Sequence, residues 1–116
     1  MDAESLRDYC IRKAGVTEGF PFGEGILVFK VKKKIFILVS LGSSPLQFNV
    51  KTNPEKSAML REQYKAITPG YHMNKKWWNT VIIEGTVPSN LIRELIDHSY
   101  ELVVKSLPKK QQQDLL

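Results

Sequence analysis

Residues 26–41 read ILVFKVKKKIFILVSL, and this run sets the architecture of the chain around it. Two segments rich in β-branched and aromatic residues, Ile26–Val31 and Ile35–Leu41, are separated by Lys32, Lys33 and Lys34. Segments of this length and composition predict β-strands. The short link between them predicts a hairpin whose tip is wholly cationic.

Further strands are predicted on the C-terminal side of this hairpin. After a turn at residues 42–45, Leu46–Lys51 alternates apolar and polar residues at every step, which is typical of a strand with one solvent-exposed face. Asn79–Glu84 predicts another strand. Because short links join most of these strands, we expect an antiparallel sheet.

Helices are predicted from apolar residues at helical spacing and from the residues at their ends. Asp2 suits an N-cap, and Gly15 suits the left-handed position beyond the end of the first helix. Asn53 followed by Pro54 is typical of the start of the second helix. The three predicted helices span residues 2–14, 54–65 and 88–107.

These elements predict a single domain over residues 1–116 with an α+β fold. The predicted order is α-β3-α-β(1-2)-α, a two-layer sandwich of an antiparallel sheet with helices at both termini. Thr17–Gly25 is expected to be an irregular segment that leads into the first strand. The polar tail that begins at Lys109 is expected to fray.

Composition excludes several classes of protein. Of the 116 residues 42% are hydrophobic, and the longest apolar run, Ile35–Val39, is far shorter than the roughly 20 residues of a membrane-spanning helix. The N-terminus is acidic, whereas a secretory signal is basic and then apolar. The single cysteine, Cys10, excludes an internal disulfide bond and a multi-cysteine zinc site. We therefore expect a cytoplasmic protein with no membrane partner.

The net charge of +5 is unevenly distributed along the chain. Residues 26–51 contain five lysines and no acidic residue, and the whole positive excess falls within residues 26–80. A basic field confined to one part of a small domain favours a polyanionic partner such as nucleic acid. The alternative is a lysine-rich surface that only contacts solvent.

The sequence carries none of the usual groupings of catalytic or metal-binding residues. It has no P-loop and no glycine-rich dinucleotide motif at the start of a helix. Cys10 lies on the apolar face of the first helix, which favours a buried thiol over a nucleophile. His72 and His98 are 26 positions apart with no neighbouring carboxylate pair, which makes a weak metal site. We expect no enzymatic activity, no cofactor and no bound metal ion.

The residues with the most varied chemistry lie between Pro69 and Thr80. Lysines neutralise phosphates, aromatic rings stack on bases, and asparagine amides bind base edges or phosphate oxygens. Because successive strand residues point to opposite faces, we expect one of Trp77 and Trp78 to lie in the core. The segment also suits a braced turn or a protein interface, since interfaces favour Trp and Tyr.

Four stretches form a recognisable pattern: NVKTNPE (49–55), PGYHMNKKWWNTV (69–81), GTVP (85–88) and LIRELIDHSY (91–100). By this pattern the chain resembles the MmcQ/YjbR family. The resemblance rests on four stretches and covers essentially the whole sequence; many members carry histidine at the position of Trp77. It implies a fold similar to bacterial frataxin (CyaY-like), and members are described as DNA-binding proteins with a double-wing arrangement. Frataxin-like iron binding needs an acidic ridge on the first helix, which is missing here.

We therefore predict a non-enzymatic DNA-binding protein that contacts mainly phosphates. The hairpin tip is expected to form one wing and the aromatic and basic segment the second, so that lysines release counterions while aromatic side chains stack. A protein-interaction or chaperone-like module is the alternative, and an enzyme acting on a small anionic substrate is the third possibility. The predicted contact residues are Lys30, Lys32, Lys33, Lys34, Tyr71, His72, Asn74, Lys75, Lys76, Trp77, Trp78 and Asn79.

Overall fold

The computed structural model describes residues 1–70 and 73–116 and has the predicted α+β architecture. Its elements are α1 (Ala3–Ile11), β1 (Val16–Gly19), β2 (Ile26–Val31), β3 (Lys34–Ser40), β4 (Gln47–Lys51), α2 (Pro54–Gln63), β5 (Ile67–Pro69), β6 (Trp78–Ile82), α3 (Ser89–Lys105) and α4 (Lys109–Gln113). The strands form one antiparallel sheet in the order β1-β2-β3-β4-β6-β5. No helix in the described part of the chain is long and apolar enough to cross a membrane.

The hydrophobic core lies between one face of the sheet and the helices. Phe29, Phe36 and Phe48 point from β2, β3 and β4 into this core and are fully buried. Leu6 of α1 and Ile96 of α3 cover them from the helical layer. The apolar strand residues identified in the sequence therefore hold the two layers together through burial of apolar surface.

Helix ends follow the predicted capping chemistry. The side chain of Asp2 accepts a hydrogen bond from the backbone N–H of Ser5 at 2.8 Å, so α1 begins with an N-cap. Asn53 accepts from the backbone N–H of Lys56 at 2.8 Å, and Pro54 is the first residue of α2. The α2 N-cap fixes where the chain turns after β4.

The predicted β2–β3 hairpin is confirmed. Its turn consists of Lys32 and Lys33, whose φ angles are 48° and 70°. Positive φ at both central residues is typical of the tight turns that match the twist of a hairpin, although lysine rarely adopts this conformation. The two lysines are thereby held at the tip of the hairpin.

A serine on α3 fastens the helical layer to the middle of the sheet. Ser99 is fully buried and donates from Oγ to the carbonyl oxygen of Phe36 at 2.5 Å. The same hydroxyl accepts from the backbone N–H of Lys51 at 2.8 Å. Phe36 lies where the β2–β3 register shifts, so the Ser99 hydroxyl binds backbone groups of β3 and β4 beside this β-bulge.

Two segments differ from the sequence-based expectation. Val16–Gly19 forms the edge strand β1 instead of an irregular segment, because its backbone pairs with the free edge of β2. Four residues are too few to show a period-two pattern, so this strand could not be predicted from the sequence. The tail does not fray: it forms α4, Leu115 packs over Gly15, and Asp114 lies 3.6 Å from Lys32.

Candidate nucleic-acid interface

The strand topology brings separate basic segments to one end of the sheet. Because neighbouring strands are antiparallel, β2 ends, β3 begins, β4 ends and β6 begins at this same end. Only β4 lies between β3 and β6, which puts the hairpin and the start of β6 about 10 Å apart at the level of the strands. We name this end the lysine end, defined by Lys32, Lys33, Lys34, Lys51, Lys75 and Lys76.

Acidic residues of the strand connections lie at the opposite end of the sheet. Glu24 precedes β2 and Glu84 follows β6, so both lie away from the lysine end. Glu18, near the end of β1, accepts a hydrogen bond from Nε of Arg7 at 2.7 Å. This separation of charge along the strand direction favours a positive electrostatic potential at the lysine end.

The hairpin lysines differ in their surroundings. Lys33 and Lys34 are exposed, whereas Lys32 is half-buried and its Nζ lies 3.6 Å from an Oδ of Asp114. Lys30 is also half-buried and lies within β2, where it faces away from the helices next to Val28 and Thr17. Lys33 and Lys34 are therefore the most accessible cations of the hairpin.

A compact turn presents the second basic segment. The carbonyl oxygen of Asn74 accepts from the backbone N–H groups of Trp77 and Trp78 at 3.1 and 2.8 Å. Its side-chain oxygen accepts from the backbone N–H of Lys76 at 3.1 Å. The asparagine is thus used to shape the turn, and the side chains of Lys75 and Lys76 are exposed on it.

Arg61 of α2 holds this turn against the body of the protein. Its Nη2 donates to the carbonyl oxygens of Lys75 and Trp78, and its Nε donates to the side-chain oxygen of Asn79 at 2.6 Å. Sequence reasoning missed Arg61. Its partners lie 14 to 18 residues further along the chain, so no local spacing could have revealed them.

Asn79 does not belong to the exposed contact set predicted from the sequence. It is 1% exposed, and its Nδ2 donates to Oγ of the buried Ser57 at 2.9 Å while its oxygen accepts from Arg61. Because Asn79 points towards α2, both halves of its amide are used inside the protein. Asn79 is a structural residue that connects β6 to α2.

The two tryptophans were expected to divide between core and surface, and this expectation is wrong. Both are partly exposed, and neither belongs to the core. Trp78 is directly opposite Lys51 in the sheet and points away from the helices, with its Cβ against Gly70. Trp77 precedes β6, and Nζ of Lys51 lies 5.3 Å from the centre of its ring, a cation–π contact.

Tyr71 and His72, both predicted contact residues, lie outside the described residues. Their roles remain predictions from the sequence. Of the remaining predicted set, the structure brings Lys32, Lys33, Lys34, Asn74, Lys75, Lys76, Trp77 and Trp78 to the lysine end, with Lys30 further along β2.

Cys10 and His98, which were considered as catalytic or metal-binding residues in the sequence, have structural roles. Cys10 is fully buried in the core, and burial raises the pKa of its thiol to about 12. His98 lies on α3 and accepts a hydrogen bond at Nε2 from the backbone N–H of Asn53 at 3.3 Å. Within residues 1–70 and 73–116, no cluster of three His, Cys, Asp or Glu side chains is arranged to hold a metal ion.

A separate groove lies between α1 and the edge of the sheet. Its volume is about 650 Å³, and it shares no residue with the predicted nucleic-acid contacts. Phe20 and Leu41 line it and are 49% and 38% exposed, while the Arg7–Glu18 ion pair forms part of its wall. This groove is an apolar surface feature near the acidic connections.

Comparisons with known proteins agree with this architecture. The YjbR family model matches residues 11–102. The Escherichia coli O157:H7 protein YbdF is 40% identical to this chain, and the alignment covers 97% of this chain and 95% of YbdF. YjbR of E. coli K12 is 30% identical, and the alignment covers 100% of this chain and 98% of YjbR.

Solved structures show the same fold. A crystal structure of a Deinococcus radiodurans protein with a DUF419 domain superposes with a TM-score of 0.92 at 39% identity, over 97% of this chain and 86% of that one. A Pseudomonas syringae crystal structure superposes with a TM-score of 0.75 at 26% identity, over 88% and 98% of the two chains.

Proposed function

The chain belongs to the YjbR family, and we propose that it is a non-enzymatic DNA-binding protein that contacts mainly phosphates through its lysine end. One observation carries this proposal: the antiparallel topology gathers six lysines from three separate segments at one end of the sheet. A patch of this kind attracts the phosphate backbone and releases condensed counterions on binding.

In this proposal the two basic segments act as two wings. The hairpin tip with Lys33 and Lys34 contacts one stretch of backbone, and the turn with Lys75 and Lys76 contacts another. Both wings are short and braced, the first by its tight turn and the second by Arg61. Braced contacts reduce the conformational entropy lost on binding. We also propose that the protein is cytoplasmic, because a DNA-binding protein must share the compartment of its partner.

The proposal is tested by titrating a labelled short duplex with the protein at about 50 and about 200 mM salt. We expect binding at the lower salt and a steep loss of affinity at the higher one. Lys75→Ala should weaken binding, whereas Lys65→Ala, which removes the same charge between α2 and β5 at the opposite end, should leave it nearly unchanged. Equal effects of the two substitutions, or no binding at low salt, would contradict the proposal.

A protein-interaction function is a second candidate because of the groove between α1 and β1. The exposed Phe20 and Leu41 give this groove an apolar lining of the kind found at protein interfaces. Phe20→Ser would abolish such an interaction while leaving DNA binding intact. The two candidate functions therefore use opposite ends of the molecule and can be separated by single substitutions.

A further inference from the structure

The face of the sheet that points away from the helices continues directly from the lysine end. On β4 and β6, the core-facing residues include Phe48 and Val81, which are fully buried. The residues that alternate with them point outwards and are only partly buried. We name this surface the open sheet face, defined by Gln47, Asn49, Lys51, Trp78, Thr80 and Ile82.

The polar side chains of this face are arranged to make further hydrogen bonds. Oγ1 of Thr80 donates to Oδ1 of Asn49 at 2.5 Å, which fixes the orientation of the Asn49 amide. The amide nitrogen of Asn49 has no hydrogen-bond partner among the described residues, so it keeps its donors for a ligand. Gln47 lies two residues away on the same strand and face. Side-chain amides of this kind recognise the edges of nucleic-acid bases.

Flat apolar groups and positive charge meet at one corner of the open sheet face. Trp78 points outwards next to Trp77, and the ammonium of Lys51 lies over the Trp77 ring. Among the described residues of the six strands, the sole carboxylate is Glu18, which pairs with Arg7 of α1. The surface therefore combines aromatic rings, amides and cations without a carboxylate that would repel an anion.

We infer that the open sheet face binds the bases of single-stranded nucleic acid, while the lysine end binds the phosphates of the same strand. This inference rests on the proposed function and specifies its partner. In a duplex the bases are stacked on one another and cannot lie on a flat sheet. In a single strand they can stack on Trp78 and Trp77 and reach Asn49.

A site that stacks bases and a site that contacts only phosphates should differ in whether they prefer a single strand or a duplex. Duplex DNA has the higher charge density, so a site that reads only phosphates binds a duplex more tightly than a single strand of equal length. Stacking of bases on the protein favours the single strand instead, because its bases are free to leave one another. We therefore expect the protein to bind a labelled single strand of about 12 nucleotides more tightly than its duplex.

The decisive variant is Trp78→Leu, which removes the aromatic ring but keeps an apolar side chain. We expect it to lower the affinity for the single strand about fivefold or more and the affinity for the duplex less than about twofold. Phe22→Leu is the matched control, because Phe22 is a 60% exposed aromatic residue before β2, far from the lysine end. It should change neither affinity.

A second measurement does not depend on the stability of Trp78→Leu. In Trp77→Phe the only tryptophan is Trp78, so a base stacked on it should quench the fluorescence of the protein as the single strand is added. No quenching on binding, a duplex preferred over the single strand, or equal losses for both ligands in Trp78→Leu would overturn the inference but leave the proposed function standing. Failure to bind either ligand at low salt would instead overturn the proposed function.

Discussion

The guanidinium of Arg61 on α2 donates to the side-chain oxygen of Asn79 on β6 across 2.6 Å. Asn79 is buried, and the same guanidinium also binds the carbonyl oxygens of Lys75 and Trp78. One side chain therefore connects the core to the exposed turn that carries Lys75 and Lys76. The position of the second wing depends on this connection.

Replacing Arg61 by lysine should show whether the hydrogen-bond geometry of its side chain matters in addition to its positive charge. Arg61→Lys keeps the positive charge, but an ammonium cannot bind three acceptors with the planar fork of a guanidinium. Because the buried oxygen of Asn79 is left without its donor, we expect a loss of about 2 kcal/mol in the free energy of unfolding, measured with urea. DNA affinity should fall as well. An unchanged stability in Arg61→Lys would show that the turn is held by other contacts. Lys65→Arg is the control, because it exchanges one cationic side chain for another at an exposed position away from the turn.

The hairpin tip should tolerate loss of its charge without loss of fold. Lys32 and Lys33 have positive φ, so the double substitution Lys32→Asn, Lys33→Gly places the preferred residues of such a turn at both positions. We expect an equal or higher melting temperature. If both lysines contact phosphates, the slope of log affinity against log salt should become shallower by up to about 1.8. An unchanged slope would show that neither Lys32 nor Lys33 contacts a phosphate.

The negative charge of Asp114 should lower the affinity for DNA. It lies 3.6 Å from Nζ of Lys32 and places a negative charge beside the hairpin tip. Asp114→Asn should therefore tighten binding at low salt, with little change in stability because exposed ion pairs contribute at most about 1 kcal/mol. Glu24→Gln makes the same change in net charge at the opposite end of the sheet. If the two variants bind equally well, only net charge matters and the position of Asp114 does not.

Stability should decrease in mildly acidic solution through His98. Burial, together with the nearby Lys56, lowers the pKa of His98 below its usual value of 6.5, so the folded state favours the neutral ring. Neutral Nε2 accepts from the backbone N–H of Asn53 at the start of α2. The stabilising contribution is complete above pH 6.5 and is lost as the pH falls below 6.5 towards the folded-state pKa, because the unfolded chain binds the proton more tightly.

The measurement is urea unfolding of the wild type and of His98→Gln across this pH range. Glutamine offers an acceptor that does not titrate near neutral pH, so the difference in stability between the two proteins should shift in favour of the variant as the solution is acidified. A difference that stays constant with pH would exclude His98 as the group responsible.

Much of the fold could be predicted because its strands have strong local signals. β2 and β3 are rich in β-branched and aromatic residues, and the alternation along β4 is regular. β1 lacks such a signal, because Val16–Gly19 becomes a strand only by pairing with β2. Likewise α4 and Leu115 are ordered by tertiary contacts with the hairpin region, which composition does not reveal.

The candidate site could be predicted by segment but not by side chain. Basic and aromatic residues marked both wings, yet Asn79 proved to be buried because α2 packs over that position of β6. The expectation for Trp77 and Trp78 failed because alternation applies only within a strand, and β6 begins at Trp78. Arg61 could not be found because its partners meet it only after folding.

The most direct test of DNA binding through the lysine end is amide chemical-shift mapping by NMR as DNA is added at low salt. We predict that the largest shifts cluster at Lys33, Lys34, Lys51, Lys75 and Lys76, and that the amides of Glu24 and Glu84 at the opposite end do not move. Shifts centred on the acidic end, or spectra that do not change with DNA, would contradict the account.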